Sequence, residues 1–76
     1  MIPAEDKKKY ILNSVDNALS LFNLFFDYEE LTVNDIAKQL SISRSTAFRF
    51  AVTLENRGFL TKTDHATYRL GLNMFS

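Results

Sequence analysis

The 76-residue chain contains no cysteine and a single histidine, His65. The first absence excludes a disulfide framework, and the second leaves no cluster of metal-ligand type, so packing alone must hold the domain. The expectation is an intracellular protein without structural zinc. Glycine is equally scarce, present only as Gly58 and Gly71. No Gly-rich phosphate loop can be built from them, no nucleophile–base pair stands out, and so short a chain leaves little room for a substrate pocket. Catalysis is therefore the weakest class, and no cofactor is expected. Long apolar runs are missing too. The longest, "ALSLFNLFF", is interrupted by Ser20 and Asn23 and falls short of the about 20 residues that a membrane span requires. The opening "MIPAEDKKK" mixes both signs of charge, unlike a signal peptide. A cytoplasmic location without a membrane partner is the expectation.

Net charge is also absent, but the balance of nine cations against nine acids conceals a segregation along the chain. Residues 1–37 hold three lysines against seven acids. Residues 38–62 hold Lys38, Arg44, Arg49, Arg57 and Lys62 against Glu55 alone. Only a shared surface would turn this segregation into a binding site. Ten aromatics, seven of them Phe, supply much of the volume available for a small core.

Pattern and capping residues give the order of elements. The N-terminal dozen is charged, then apolar at Tyr10, Ile11 and Leu12, where it is expected to dock. Ser14 is placed to cap a helix over about 15–27, with Asp16 in its first turn. Val15, Ala18, Leu19, Phe22 and Phe26 form its expected buried arc, and Leu24 points nearly opposite. Thr32 and Asp35 spell a capping box for a helix over 33–40, with Leu31 and Ile36 as its hydrophobic staple. Ile36, Ala37 and Leu40 should be buried, leaving Asn34, Lys38 and Gln39 exposed. The three-residue connection "SIS" then leads to a helix over about 44–57, capped by Ser43, stapled by Ile42 and Ala47, and stopped by Gly58. Beyond it, "FLTKT" and "TYRL" flank "DHA" as a β-hairpin over about 59–70, and Gly71 breaks the second strand.

Three helices, the last two joined by a tight turn, followed by a two-stranded hairpin: the fold class is mostly α (α+β), a three-helix winged helix-turn-helix with a C-terminal β-hairpin wing. In that architecture the helix over 44–57 enters the DNA major groove, and the wing meets the backbone or minor groove. Its helical wheel puts Ala47, Phe50, Ala51 and Leu54 on a core stripe. Ser45, Arg49, Val52, Thr53 and Asn56 lie opposite, with Arg44 and Phe48 on one flank and Thr46 on the other. An arginine fork can bond G O6 and N7, hydroxyls serve base edges or phosphates, and an apolar side chain can meet a thymine methyl. The candidate DNA-binding set is Ser43, Arg44, Ser45, Thr46, Phe48, Arg49 and Thr53, joined by Lys62 and His65 near the wing tip. For Phe48 two places remain open, the edge of the core or a base. The competing reading of the same fold is a protein-interaction module.

From Ser14 onward the chain resembles the N-terminal DNA-binding domain of the IclR family of bacterial transcription regulators. The resemblance rests on "SVDNAL", on "LTVNDIAKQLSISRSTAFRFAVTLENRGFL" and on "YRLG". It implies a domain over 14–71 that binds double-stranded operator DNA as a homodimer, preceded by an arm over 1–13. Residues 72–76 would then begin a linker helix to a C-terminal effector-binding domain that this sequence lacks, and a small-molecule effector would act only through that domain. Tyr10, Ile11, Leu12 and Leu24 become candidates for a dimer contact, the alternative being that the arm folds back over its own domain. By position, Arg44, Ser45, Thr46 and Arg49 fall in the family's recognition-helix motif, and residues 62–67 in its wing. Ser41 stands where the turn commonly has glycine, which predicts a left-handed serine. Phe48 and Phe50 are bulkier than the family's usual residues.

Overall fold

A computed structural model describes residues 9–71. Three helices, α1 (Asn13–Leu24), α2 (Val33–Leu40) and α3 (Arg44–Asn56), precede two antiparallel strands, β1 (Leu60–Lys62) and β2 (Tyr68–Leu70). The expected linker segment 72–76 and the start of the arm lie outside the described residues.

Helix α1 departs from expectation at both ends. Leu12 occupies its N-cap position and offers no side-chain cap, so Ser14 is already inside the helix. The ladder starts where the Asp16 amide donates to the Leu12 carbonyl at 2.9 Å. At the other end Phe25, Phe26 and Asp27 donate three residues back, to Phe22, Asn23 and Leu24, and the tightened turn ends the helix early. The buried face differs as well. Leu21 is fully buried, with Leu24 and Phe25 packed beside it, whereas Val15, Leu19 and Phe26 are exposed. Because α1 carries apolar side chains on every side, its own periodicity does not fix which arc meets α2. That choice is made by the partner helix. Leu24, expected to point away from the buried arc, therefore packs partly buried against the core. Tyr10, Ile11 and Leu12 are 68%, 51% and 68% exposed, so this part of the arm does not dock on the domain.

Helices α2 and α3 follow their sequence signals closely. The Asp35 amide donates to Thr32 Oγ1 and the Thr32 amide to Asp35 Oδ2, both at 3.0 Å, completing the capping box. Leu31 and Ile36 are buried together as the staple. Ser41 takes the left-handed conformation, φ 55° and ψ 44°, and the Ile42 amide reaches back to the Ala37 carbonyl. This closure reverses the chain quickly enough for Ser43 to cap α3, accepting from the Thr46 amide at 3.1 Å. Ala47 and Ala51 are fully buried, while Phe50 and Leu54 pack partly buried at the core margin. Gly58, with φ 83°, ends α3. Its amide bonds the Glu55 carbonyl and that of Phe59 bonds Leu54, the paired closure of a Schellman motif.

The hairpin pairs Leu60 with Leu70, Thr61 with Arg69 and Lys62 with Tyr68. One pairing is not foreshadowed by the sequence patterns. Leu31, in the α1–α2 connection, exchanges two backbone hydrogen bonds with Tyr68, 2.9 and 2.8 Å long, adding a third partner to the wing. At the base of the hairpin a Cβ on Gly71 would sit 2.4 Å from the Gly58 carbonyl oxygen, so only glycine fits this close approach.

Two substitutions test the backbone. Ser41→Gly relieves a left-handed non-glycine residue and should stabilise by about 0.5–1 kcal/mol. Gly71→Ala drives a methyl into backbone and should destabilise by about 1–3 kcal/mol. Urea unfolding of the two variants should move in opposite directions from the parent; a parallel shift contradicts the reading.

Candidate nucleic-acid interface

A cleft opens between the first turns of α3, the N-terminus of α2 and the hairpin. It is lined by Arg44, Ser45 and Phe48 from α3, Thr32, Val33 and Asn34 at the start of α2, and Lys62, His65, Ala66 and Tyr68 from the hairpin. Five of the residues singled out from sequence thus share one surface. Arg44 and Ser45 meet Phe48 because residues three and four apart face the same way on a helix. Lys62 joins them because it is paired with Tyr68, which is in turn held by Leu31.

The remaining α3 candidates turn elsewhere. Thr46, Arg49 and Thr53 recur at spacings of three and four and line a separate groove, shared with Ser14, Val15, Ala18 and Leu19 of α1. The outward face expected from the wheel is therefore divided between two concavities. Ser43 sits at the N-terminus of α3 and is committed to it. Its Oγ accepts from the Thr46 amide and donates to Thr46 Oγ1 at 2.8 Å. Thr53 donates its hydroxyl to the Arg49 carbonyl at 2.7 Å. Among the hydroxyls of this helix Ser45 is the least tied down, at 3.3 Å from Ser43 Oγ.

Phe48 is 51% exposed and stands outside the buried cluster, so it lines the cleft rather than closing the core. Arg44, Arg49 and Lys62 are exposed and, among the described residues, make no hydrogen bond or ion pair through their side chains. The wing tip, by contrast, is tied by hydrogen bonds. Thr67 Oγ1 donates to Glu30 Oε1, which leaves Thr63 as the donor in the 2.6 Å hydroxyl pair of Thr63 and Thr67. The His65 and Thr67 amides both reach Thr63 Oγ1, and Ala66 takes a left-handed conformation, φ 61°. Thr63 spends its hydroxyl inside the hairpin and Thr67 donates its own to Glu30 of the α1–α2 connection, while Lys62 and His65 are exposed.

Sequence reasoning missed the α2 contribution and Tyr68. The signal available was Thr32 itself. A cap that fixes the first turn of α2 also fixes Asn34, and Leu31 beside it pairs with the wing. Two ionisable groups near the cleft are shifted. Asp35 is held below its ordinary 3.8 by hydrogen bonds from the Thr32 backbone first and its side chain second, with Lys38 adding a smaller push. Burial, then the nearby Glu55 charge, raises the Tyr68 phenol above 10.0.

A helix-turn-helix with a hairpin folded against its third helix is a winged helix, and solved structures share that arrangement. An IclR transcriptional regulator from Alicyclobacillus acidocaldarius superposes with a TM-score of 0.80 at 28% identity, over 87% of this chain and 28% of that one. A putative IclR regulator from Silicibacter sp. TM1040 gives 0.74 at 25% identity, over 83% and 25% of the two chains. The chain belongs to the IclR helix-turn-helix domain family, whose model matches residues 14–64. It is 33% identical over 66 residues to the HTH-type transcriptional regulator XynR of Escherichia coli strain K12, covering 84% of this chain and 26% of that protein. The chain thus spans about a quarter of the length of the relatives it matches.

Removing the cap tests its role in presenting the α2 end of the cleft. Thr32→Ala should cost about 1 kcal/mol at neutral pH. Because the folded Asp35 carboxyl lies below its unfolded value, its contribution is complete above about pH 4 and is lost as pH falls through the folded value. Urea unfolding at pH 6 and pH 3 should show the parent losing more stability than Thr32→Ala. Equal losses would contradict the assignment.

Proposed function

We propose that this chain binds double-stranded operator DNA in a sequence-specific manner, as the DNA-binding domain of a bacterial transcriptional regulator. In this reading α3 lies in the major groove and the wing, about residues 59–70, touches the backbone or minor groove. The observation that carries it is convergence. Arg44 from α3 and Lys62 and His65 from the hairpin line one cleft with Ser45. Two cations, Arg44 and Lys62, meet on a concave surface whose lining includes no carboxylate, Glu30 and Asp64 bordering Lys62 only on its outer side, and such a surface suits a polyanion.

The roles divide by position. Arg44 and Lys62, at the rim, take phosphates, Ser45 a base edge or a phosphate, and Arg49 a guanine through its planar fork. Ser43, Thr46 and Thr53 act mainly by fixing the helix, although a capped helix N-terminus also favours a nearby phosphate. Homodimerisation fits this reading. Tyr10, Ile11 and Leu12 expose apolar surface ahead of α1, and Val15 and Leu19 continue it along the helix. A two-fold pair would set two copies of α3 on half-sites one helical turn apart. Any small-molecule effector would act through a C-terminal domain outside this chain, and the site of action would be the cytoplasm.

Selection of bound duplexes from random DNA at fixed salt should return a palindromic consensus. Arg49→Ala should relax discrimination at one position by about 1–3 kcal/mol. Lys62→Ala should weaken all sequences alike and reduce the slope of log affinity against log salt by about 0.9. Absence of duplex binding, or binding indifferent to salt, sinks the proposal.

A further inference from the structure

We infer that Phe48 reads the C5-methyl group of a thymine, so that each operator half-site contains one thymine whose methyl is itself a recognition element. The inference rests on the DNA-binding reading and deepens it.

The fold does not account for this side chain. Helix α3 is anchored by Ala47 and Ala51, with Phe50 and Leu54 packed at the margin, and Phe48 belongs to none of these contacts. Half of its surface is open, and among the described residues the ring stacks on no other aromatic. A phenyl group left in water costs free energy that burial against a partner would recover.

Its surroundings narrow the partner. Arg44 and Ser45 lie on the preceding turn of the same helix, and Lys62 closes the cleft from β1. Arginine and aromatic side chains are common in protein interfaces but lysine is depleted there, and here the apolar ring shares its cleft with Lys62 as well as Arg44. The complementary surface must carry an apolar group set between anions. The major groove supplies one, because thymine alone among the four bases presents a methyl there, flanked by the phosphates of both strands. The same rim that would repel a cationic protein surface draws in the backbone and delivers the methyl to the ring.

Uracil keeps the hydrogen-bonding edge of thymine and lacks only that methyl. In the selected consensus duplex, each thymine is replaced singly by deoxyuridine, and affinity is measured for the parent, Phe48→Ala and Phe48→Leu. One thymine per half-site should lose about 3–5-fold on replacement with the parent protein, the worth of one buried methyl. That loss should vanish in Phe48→Ala and persist in part in Phe48→Leu, which keeps an apolar contact. Thermal unfolding accompanies the series, and since each variant is compared with itself on two duplexes, a general loss of stability cancels. Indifference of the parent to every deoxyuridine, a loss that survives in Phe48→Ala, or a preference for single strands indicating stacking on an unpaired base would each overturn the inference. A salt-dependent, palindrome-selecting protein without methyl coupling would sink this inference alone. A protein that binds no duplex would sink the broader reading with it.

Discussion

The two backbone hydrogen bonds exchanged by Leu31 and Tyr68 hold the hairpin side of the candidate surface in place. Strands of three residues make a hairpin that is marginal by itself in water. Pairing β2 with the α1–α2 connection gives it a second neighbour, and both residues of the bridge are buried in the core. The Glu30–Thr67 hydrogen bond sits at the adjoining step and the Gly71–Phe59 bond at the hairpin base. Leu31 and Thr32 are consecutive, one paired with the wing and the other capping α2. A single dipeptide therefore fixes the hairpin relative to the helices, and Lys62 comes to stand across a cleft from Arg44.

The second constraint is how closely α3 must approach α2. Ala47 and Ala51 present no side chain beyond Cβ at the fully buried positions of α3, which permits close packing there. The three-residue connection allows that approach only because Ser41 accepts a left-handed conformation, at a cost of about 1 kcal/mol. Ser43 then caps α3, and the staple of Ile42 on Ala47 sets its entry angle. With the inner face so specified, the direction in which each outer Cα–Cβ bond leaves the helix is fixed. Phe48 and Arg49 are adjacent in sequence yet line different concavities, as a 100° step per residue requires.

What could be read from sequence follows from whether the signal is local. Thr32 with Asp35, Ser43, and Gly58 act within a turn of themselves, and α2 and α3 begin where those residues predict. Helix α1 lacks such punctuation at its start. Ser14 has the chemistry of a cap, but the helix runs through it from Leu12, and the buried arc centres on Leu21 rather than on Val15, Leu19 and Phe26. An all-round apolar helix leaves the choice of face to tertiary packing. The bridge from Leu31 to Tyr68 was illegible for the same reason, since it spans 37 positions and a one-residue pairing leaves no periodicity. Of the candidate site, the α3 side chains were legible from the wheel. Their division between cleft and groove was not, because it depends on where α1 and the wing lie.

Overall neutrality bears on how such a surface would discriminate. A strongly basic domain is held to any duplex by long-range attraction, whereas a domain with zero net charge gains little from steering at a distance. Its cations act over about one Debye length, roughly 8–10 Å at ordinary salt. Glu30 lies close enough to the wing to temper its field, since it borders, with Asp64, the same outer hollow as Lys62 and His65. Within the cleft itself, Arg44 and Lys62 stand together without a lining carboxylate. In the proposed complex, non-specific affinity would fall with the net charge, while contacts that demand a geometric match, those proposed for the Arg49 fork and the Phe48 ring, would keep their full weight. In such a balance, a larger share of the binding free energy depends on the sequence being bound.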